Sequence, residues 1–490
     1  MKRLRNNFLL FYLSLISLSC SGPTIRQYSE TGKDPDIYPD YREVTVPVNI
    51  APLNFRLRNW EKQGMLFIEG NNKRLKLFSS NGRFTISPSA WKKLLKANAG
   101  GKIKLTVFIK DGTLWKRNHP FSIKIATDRI DPYLVYRLIE PGYELWEKMG
   151  IYQRDLENFE ETAIFENKMT GYNCVNCHSF CMQNPAKMLF HMRGAYGGTI
   201  LADGKNIEKL DTKTDSAISP FVYPAWHPSG KYIAFSVNDI AQAFYLNNKS
   251  RIEVFDSRSD VVVYDIQKHE VFSSPLLSSR DKMETFPGFS PDGEKLYFCT
   301  AKSRPVPQKK DSVRYSLCSV SFDMNSRIFG EAADTIYNAR ILGKSASFPR
   351  VSPDGNYLLF TVCGFGSFPI WHKDADLCLY DIRRGNYVNM GLINSEDTES
   401  YHSWASNSRW IVFSSRRDDG LYTRLYIAYI APDGKTGKAF MLPQRNAGFY
   451  DNFMKSYNIP ELVTGKTNID SYHIARKAKS ENGKKVLFIN

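Results

Sequence analysis

The chain has 490 residues, 66 Lys and Arg against 50 Asp and Glu, a net charge of +16 and 8 cysteines. A hydrophobic content of 42% with 13% aromatics excludes a disordered chain, and the length predicts about two to four domains. Past the N-terminus no apolar run approaches the ~20 residues of a membrane helix, which excludes a helical membrane protein and predicts a soluble body.

The first element is an export signal. Lys2, Arg3 and Arg5 precede the apolar run FLLFYLSLISL at 8–18, which is too short to span a bilayer. The run ends at SLSC, with Ser19 directly before Cys20. This resembles a bacterial lipoprotein signal, cleaved before Cys20, which then carries the lipid. Position 17 departs from the pattern, being Ser where the common lipobox has Leu. An ordinary secretory signal with an incidental Cys20 is the alternative. Both readings export the chain. The lipoprotein reading implies an anchor to the outer membrane, facing the periplasm or the cell surface. Residues 1–19 are then the signal and 20–40, polar and rich in turn formers, a flexible tether.

Residues 41–127 contain REVTVPVNI, MLFIEG, RLKLFSS, RFTIS, KIKLTVFIK and FSIKIA. These alternate apolar and polar residues at period two between Gly, Asn and Asp turns. Short strands over this length predict an all-β domain, an immunoglobulin-like β-sandwich. The charge is concentrated here: between Arg56 and Lys124 stand 16 Lys and Arg against three acids, whereas Asp128 to Glu166 carries ten acids against four bases. A basic domain beside a lipid anchor suits anionic head groups. A lysine-rich solvated surface, partly neutralised by the acidic segment, is the plainer reading. Nucleic acid is excluded by the exported location and by the lack of any recognition motif.

Residues 128–184 read as a connector, partly helical, that carries GYNCVNCHSF at 171–180. Cys174, Cys177 and His178 spell C-x-x-C-H, the attachment pattern of a c-type haem. Two thiols on one helical turn add to the vinyl groups, and the adjacent imidazole meets the iron. Two rivals stay open. Cys174, Cys177, His178 and Cys181 nominally supply Cys₃His for zinc, although four ligands within eight residues rarely wrap a tetrahedral ion. Cys174 and Cys177 can also form a disulfide. Export disfavours zinc thiolates and free C-x-x-C pairs, so covalent haem c leads.

Residues 185–490 repeat. YPAWHPSGKYIAFSV from 223, FPGFSPDGEKLYFCT from 286, FPRVSPDGNYLLFTV from 348 and YHSWASNSRWIVFSS from 401 align, each followed by a second strand. Partial units lie at PAKMLFHMRG (185–194) and SENGKKVLFIN (480–490). These units resemble the TolB-like, PD40 or WD40-like β-propeller family, whose hallmark is P-x-W-S-P-D-G-K-x-I-A-F. The resemblance implies a propeller, six blades from six units, with the terminal strand closing the ring. It says little about function, since such propellers are scaffolds and binding surfaces. The layout also resembles exported proteins that join C-x-x-C-H to such a propeller, some labelled as cytochrome c biosynthesis-like, a label that rests on the motif and is no demonstrated activity.

Insertions at 238–260, 301–314 and 364–375 open onto one propeller face, and Phe365, Phe368, Trp371 and His372 suit an envelope protein partner or a glycan, unless they fold back over their own blade. No catalytic motif occurs, and Asp265 and Asp381 recur at matching positions as structural residues do, so an enzyme is not the favoured reading. Aligning the strands that end in Phe places His191 where the other units carry Ser236, Cys299, Thr361 or Ser414. Beside the motif, His191 is the candidate for the sixth position of the haem iron, giving bis-histidine ligation with His178. A hydrogen-bonded blade histidine is its alternative. The sequence therefore predicts a lipid-anchored redox or electron-transfer module on a binding scaffold. A haem-free interaction scaffold with a Cys174–Cys177 disulfide is the second reading.

Overall fold

In a computed structural model the described residues are 23–489, without 59–61, 72, 141–147, 214–216, 246–251, 307 and 481. The signal and Cys20 lie outside them. No described helix is long and apolar enough to cross a membrane. The fold is mostly β.

Six antiparallel sheets of four principal strands make up the larger part. In the second sheet the strands are Cys174–Phe180, Lys187–Arg193, Gly198–Asp203 and Asn206–Asp211. The third runs Phe221–Trp226, Tyr232–Phe244, Ile252–Asp265 and Glu270–Phe272. Three more begin at Lys282–Phe289, Ser345–Val351 and Glu399–Trp404. The third to sixth sheets follow the sequence repeat, and the turn chemistry explains why. In the fourth sheet Gly293 takes φ +79°, Asp292 Oδ1 accepts from the Glu294 N–H at 2.9 Å, and Ser290 Oγ accepts from the Lys295 N–H at 2.9 Å. Only glycine adopts that φ without strain.

The first sheet corrects the expected connector. Tyr133–Ile139, Met149–Asp155 and Glu161–Glu166 are strands, and a fourth, Ser456–Val463, returns from the far end of the chain to pair with Tyr133–Ile139. Closure therefore comes from Ser456–Val463, and not from 480–490. The tail instead forms a helix, Ser471–Ser480, then adds Lys484–Lys485 to the second sheet and Leu487–Phe488 to the third as parallel edge strands.

The N-terminal part holds a seven-stranded sheet and a three-stranded one. Two features differ from expectation. The tether is ordered in part: Tyr28–Glu30 pairs with Leu114–Arg117, and Ile37–Tyr38 with Phe55–Leu57. A helix, Pro88–Ala97, sits among the strands and buries Trp91, Leu94 and Leu95. Proline at the first helical position is preorganised for the turn, and the i, i+3, i+4 spacing gives one apolar face. This face joins a core shared with Trp410, Phe413 and Ile427 of the sixth sheet. Burial of a Trp of this kind contributes about 3 kcal/mol, so the two parts stabilise each other.

Candidate functional site

The C-x-x-C-H lies on an extended strand, Cys174–Phe180, the first strand of its sheet, and not on a helical turn. Its register explains its place. Cys177-His178-Ser179-Phe180 corresponds to Tyr223-Pro224-Ala225-Trp226, Phe286-Pro287-Gly288-Phe289, Phe348-Pro349-Arg350-Val351, Tyr401-His402-Ser403-Trp404 and Ile459-Pro460-Glu461-Leu462. In all six strands the ladder is interrupted by a bulge at this point. The first residue of each set takes positive φ, from +47° at Tyr401 to +55° at Phe348, with Cys177 at +49°. A bulky residue there costs on the order of 1–3 kcal/mol, so the surrounding packing must hold it. A bulge re-aims a side chain, and here four aromatic rings converge: Tyr223 on Phe286 at 4.6 Å, Phe286 on Phe348 at 4.2 Å and Phe348 on Tyr401 at 5.1 Å. Cys177 and Ile459 occupy the two remaining positions.

Beside this plug lies a cavity of about 360 Å³ whose wall, mainly apolar, includes Cys174, Cys177 and His178 together with Tyr223, Phe348 and Tyr401. Pockets of this size accept small molecules and cofactors. Asn176 fixes the bulge from the side, its Oδ1 accepting from the Cys177 N–H at 2.8 Å and from Arg137 Nη1 at 2.7 Å. Arg137 also donates to the Val175 carbonyl at 3.2 Å. Met149, in the same wall, places Sδ 3.3 Å from the Val175 N–H.

His178 is 2% exposed, and neither Nδ1 nor Nε2 has a hydrogen-bond partner. Leaving a buried polar atom unpaired costs about 1–3 kcal/mol. Burial, reinforced by the Arg137 cation, pushes His178 down to about 3, so the ring is neutral and keeps a lone pair. Burial also raises the Cys177 thiol. Two thiols and a neutral, unpartnered imidazole on one cavity wall are a donor set that fits covalent haem: the thiols for the thioether bonds, the imidazole for the iron.

The other candidates are placed elsewhere. Cys181 packs with Leu189, Trp226 and Phe235 in a separate core, and among the described residues no three His, Cys, Asp or Glu side chains gather to hold a metal. The Cys₃His reading therefore has no geometry. All seven described cysteines, Cys174 and Cys177 included, are free thiols. His191, on the neighbouring strand, is absent from the cavity wall. Its Nδ1 lies 2.7 Å from Thr199 Oγ1 and its ring packs on Phe235 at 5.8 Å. Its register partner Asn176 is in the cavity wall, and His191 Nε2 has no hydrogen-bond partner. His227 bonds Ser229 Oγ within its own turn at 2.7 Å and, across to the next sheet's turn, the Gly293 carbonyl at 3.2 Å.

A roof missed from sequence covers the cavity. Strands Tyr232–Phe244 and Ile252–Asp265 run on as a long hairpin that brings Phe244 and Val254 to the wall, while the 364–375 insertion brings Phe368 and Trp371. The aromatics expected to face a partner thus fold back over the channel. Glu253 Oε1 and His372 Nε2 join the two halves at 2.7 Å, each side chain 4% exposed. Against the desolvation that would lower it, Cys363 and Glu253 raise His372 to about 10. Asp256 accepts from Ser367 at 2.8 Å and Tyr315 at 2.9 Å. Arg416 stacks on Trp371 at 3.2 Å and donates to the Ile370 carbonyl at 2.7 Å.

No family model and no curated protein matches the chain. Among solved structures it is similar to prolyl oligopeptidase B from Galerina marginata, at 11% identity and TM-score 0.35 over 68% of this chain and 42% of that one. Dipeptidyl peptidase 4 from Porphyromonas gingivalis matches at 12% identity and TM-score 0.30, over 63% of this chain and 45% of that one. The chain spans less than half the length of each of these peptidases. At these scores the likeness extends to a β-rich fold and no further.

Proposed function

We propose that this chain is an exported, lipid-anchored protein that holds one c-type haem at the mouth of a six-bladed, TolB-like β-propeller and works as an electron-transfer module of the cell envelope. The observation that carries this reading is His178, buried in the wall that holds both thiols and without a partner on either ring nitrogen. Such an atom is tolerated where a ligand takes it up. The inner strands of the six sheets, Ser456–Val463 in the first and the opening strand in each of the others, pack one on the next in cyclic order, which supports six blades, and the N-terminal sheets would form the immunoglobulin-like sandwich.

When bound, haem supplies reversible one-electron exchange at a potential set by axial ligation, burial and hydrogen bonding. The residues of this chain would do the rest. Cys174 and Cys177 would anchor the group by thioethers, and His178 would ligate the iron through a ring nitrogen. Asn176 and Arg137 hold the bulge that aims these side chains. The roof hairpin and the 364–375 insertion exclude water. We leave the sixth position unassigned: His191 lies outside the cavity wall, although its Nε2 has no hydrogen-bond partner while Nδ1 is held by Thr199. Co-expression with haem-attachment machinery, followed by a haem-stained denaturing gel, tests the proposal. Covalent haem in the native chain and none in Cys174→Ala/Cys177→Ala is the expected result.

The second reading, a haem-free scaffold with a Cys174–Cys177 disulfide, is favoured by one fact: both thiols face the same cavity. Mass spectrometry of the chain purified from an oxidising compartment separates them. A haem adduct supports the first, and a loss of two hydrogens without adduct the second.

A further inference from the structure

The seven-stranded sheet has two unlike faces. Leu66, Ile68, Leu75, Leu77, Ile103 and Leu105 point into the core or pack against it. The opposite face is basic. Register places Arg74 and Lys104 on either side of Glu69, Lys76 beside Phe67, and Lys102 opposite Lys124. All five cations are exposed; Glu69 pairs with Arg74 at 3.2 Å, and at the sheet edge Glu43 Oε1 accepts from the N–H of Ser122, which stands opposite Lys104. Lys102, Lys104 and Lys124 make no ion pair among the described residues. One plain alternative, neutralisation by the acidic 128–166 segment, finds no support on this face: its described strands, Tyr133–Ile139, Met149–Asp155 and Glu161–Glu166, form a sheet paired to Ser456–Val463.

The chain's own path points to this face. Walking towards the N-terminus, Tyr28 meets Phe108 edge-on with ring centroids at 5.3 Å, Ile25 packs with Met65, Phe108 and Trp115, and the Pro23 carbonyl accepts from Lys76 Nζ at 3.2 Å. These are residues of the outer face or its apolar border. Cys20 is three residues before Pro23, so an extended chain keeps it within about 10 Å of that carbonyl. A lipid on Cys20 would bring the bilayer surface to the cations.

We infer that the outer face of this sheet, centred on Arg74, Lys76 and Lys104, is a docking surface for an anionic phospholipid bilayer, which it meets through lipid phosphates. The inference rests on the lipoprotein reading for its orientation and on charge for its strength. Basic side chains near an anionic bilayer add binding energy that salt screens.

The test uses the chain from Ser21 onward, which keeps every described residue, sedimented with vesicles of phosphatidylglycerol and phosphatidylcholine or of phosphatidylcholine alone. Sedimentation with the anionic vesicles only, lost at high salt, is expected. Arg74→Glu/Lys76→Glu/Lys104→Glu weakens it at least about a hundredfold, at about fivefold per charge removed. A control triple on exposed cations elsewhere, Lys268→Glu/Lys309→Glu/Arg340→Glu, has the same net charge and binds like the native chain, and both triples keep the native circular dichroism. Equal binding by the two triples, or equal sedimentation with neutral vesicles, overturns the inference. Mass analysis of the N-terminal peptide of the full chain separates the two premises. Lipidated Cys20 with an indifferent face sinks the docking surface alone, and unmodified Cys20 with a salt-sensitive face sinks the anchor alone.

Discussion

Two histidines occupy the same position of two inner strands, and their fates differ. His402 follows Tyr401 at the bulge of Glu399–Trp404, and His178 follows Cys177 at the bulge of Cys174–Phe180. His402 is provided for: Nε2 lies 3.1 Å from the Leu359 carbonyl and Nδ1 3.4 Å from Thr361 Oγ1. His178 is as deeply buried and has neither. The fold can therefore satisfy an imidazole at this register, and in the strand that also carries the two thiols it does not. The two rings differ in their partners, not in their burial.

The sharpest way to break this comparison is to remove each ring in turn from the haem-free chain. His402→Leu leaves the Leu359 carbonyl short of a donor and costs about 1–3 kcal/mol. His178→Leu removes two unpaired polar atoms and leaves stability unchanged or raised, measured by denaturant unfolding. In the haem-loaded chain the order reverses: His178→Leu changes the visible absorption spectrum of the bound haem and His402→Leu does not. Equal destabilisation by the two substitutions in the haem-free chain would mean that His178 is an ordinary blade histidine.

A larger loss of stability is expected at the roof, which covers Cys177 and His178. Glu253→Gln strands a buried imidazolium and costs about 3–5 kcal/mol. The sign with pH follows from His372, raised to about 10. Its contribution is complete below about 6.5, the unfolded value, and is lost as pH rises from there through about 10. Urea midpoints that fall over that interval in the native chain, and fall less in Glu253→Gln, check this; a flat profile would dissociate the pair from stability.

An acid-side effect belongs to His402. Burial, and then the Arg350 cation, lower it to about 3, so its folded-state pKa lies below the unfolded value. Stability is fully present above about 6.5 and falls as pH drops towards 3, by at most about 1.4 kcal/mol per pH unit. His402→Gln flattens part of that slope in an acid titration of the unfolding midpoint.

Much of this was legible beforehand. The S-P-D-G turns at 290–293 and 352–355 mark their sheets because turn chemistry is local. The C-x-x-C-H and the signal-like N-terminus are both readable in the sequence and suggest the same group. CHSF at 177–180 also matches YHSW at 401–404, a signal that would have put the motif on an inner strand. The first sheet was hidden because its closing strand, Ser456–Val463, lies far downstream, and no local pattern reports such a pairing. The helix Pro88–Ala97 was visible in Ser87-Pro88 and the Trp91, Leu94, Leu95 spacing, and was masked by flanking strands. The roof depends on Glu253 meeting His372 across two insertions, which is tertiary information. Aligning the Phe-ending strands put His191 beside the motif, and its register partner is Asn176, but which way its ring turns, towards Thr199 and Phe235, is tertiary information.

One measurement bears most directly on the central claim. The full chain is exported in cells whose haem-attachment machinery loads a control cytochrome c, then purified, denatured and examined by haem stain and pyridine haemochrome. The account predicts one haem per chain that survives denaturation in the native protein and in His402→Ala, and none in Cys174→Ala/Cys177→Ala. A native chain without covalent haem, beside a fully loaded control, would contradict it.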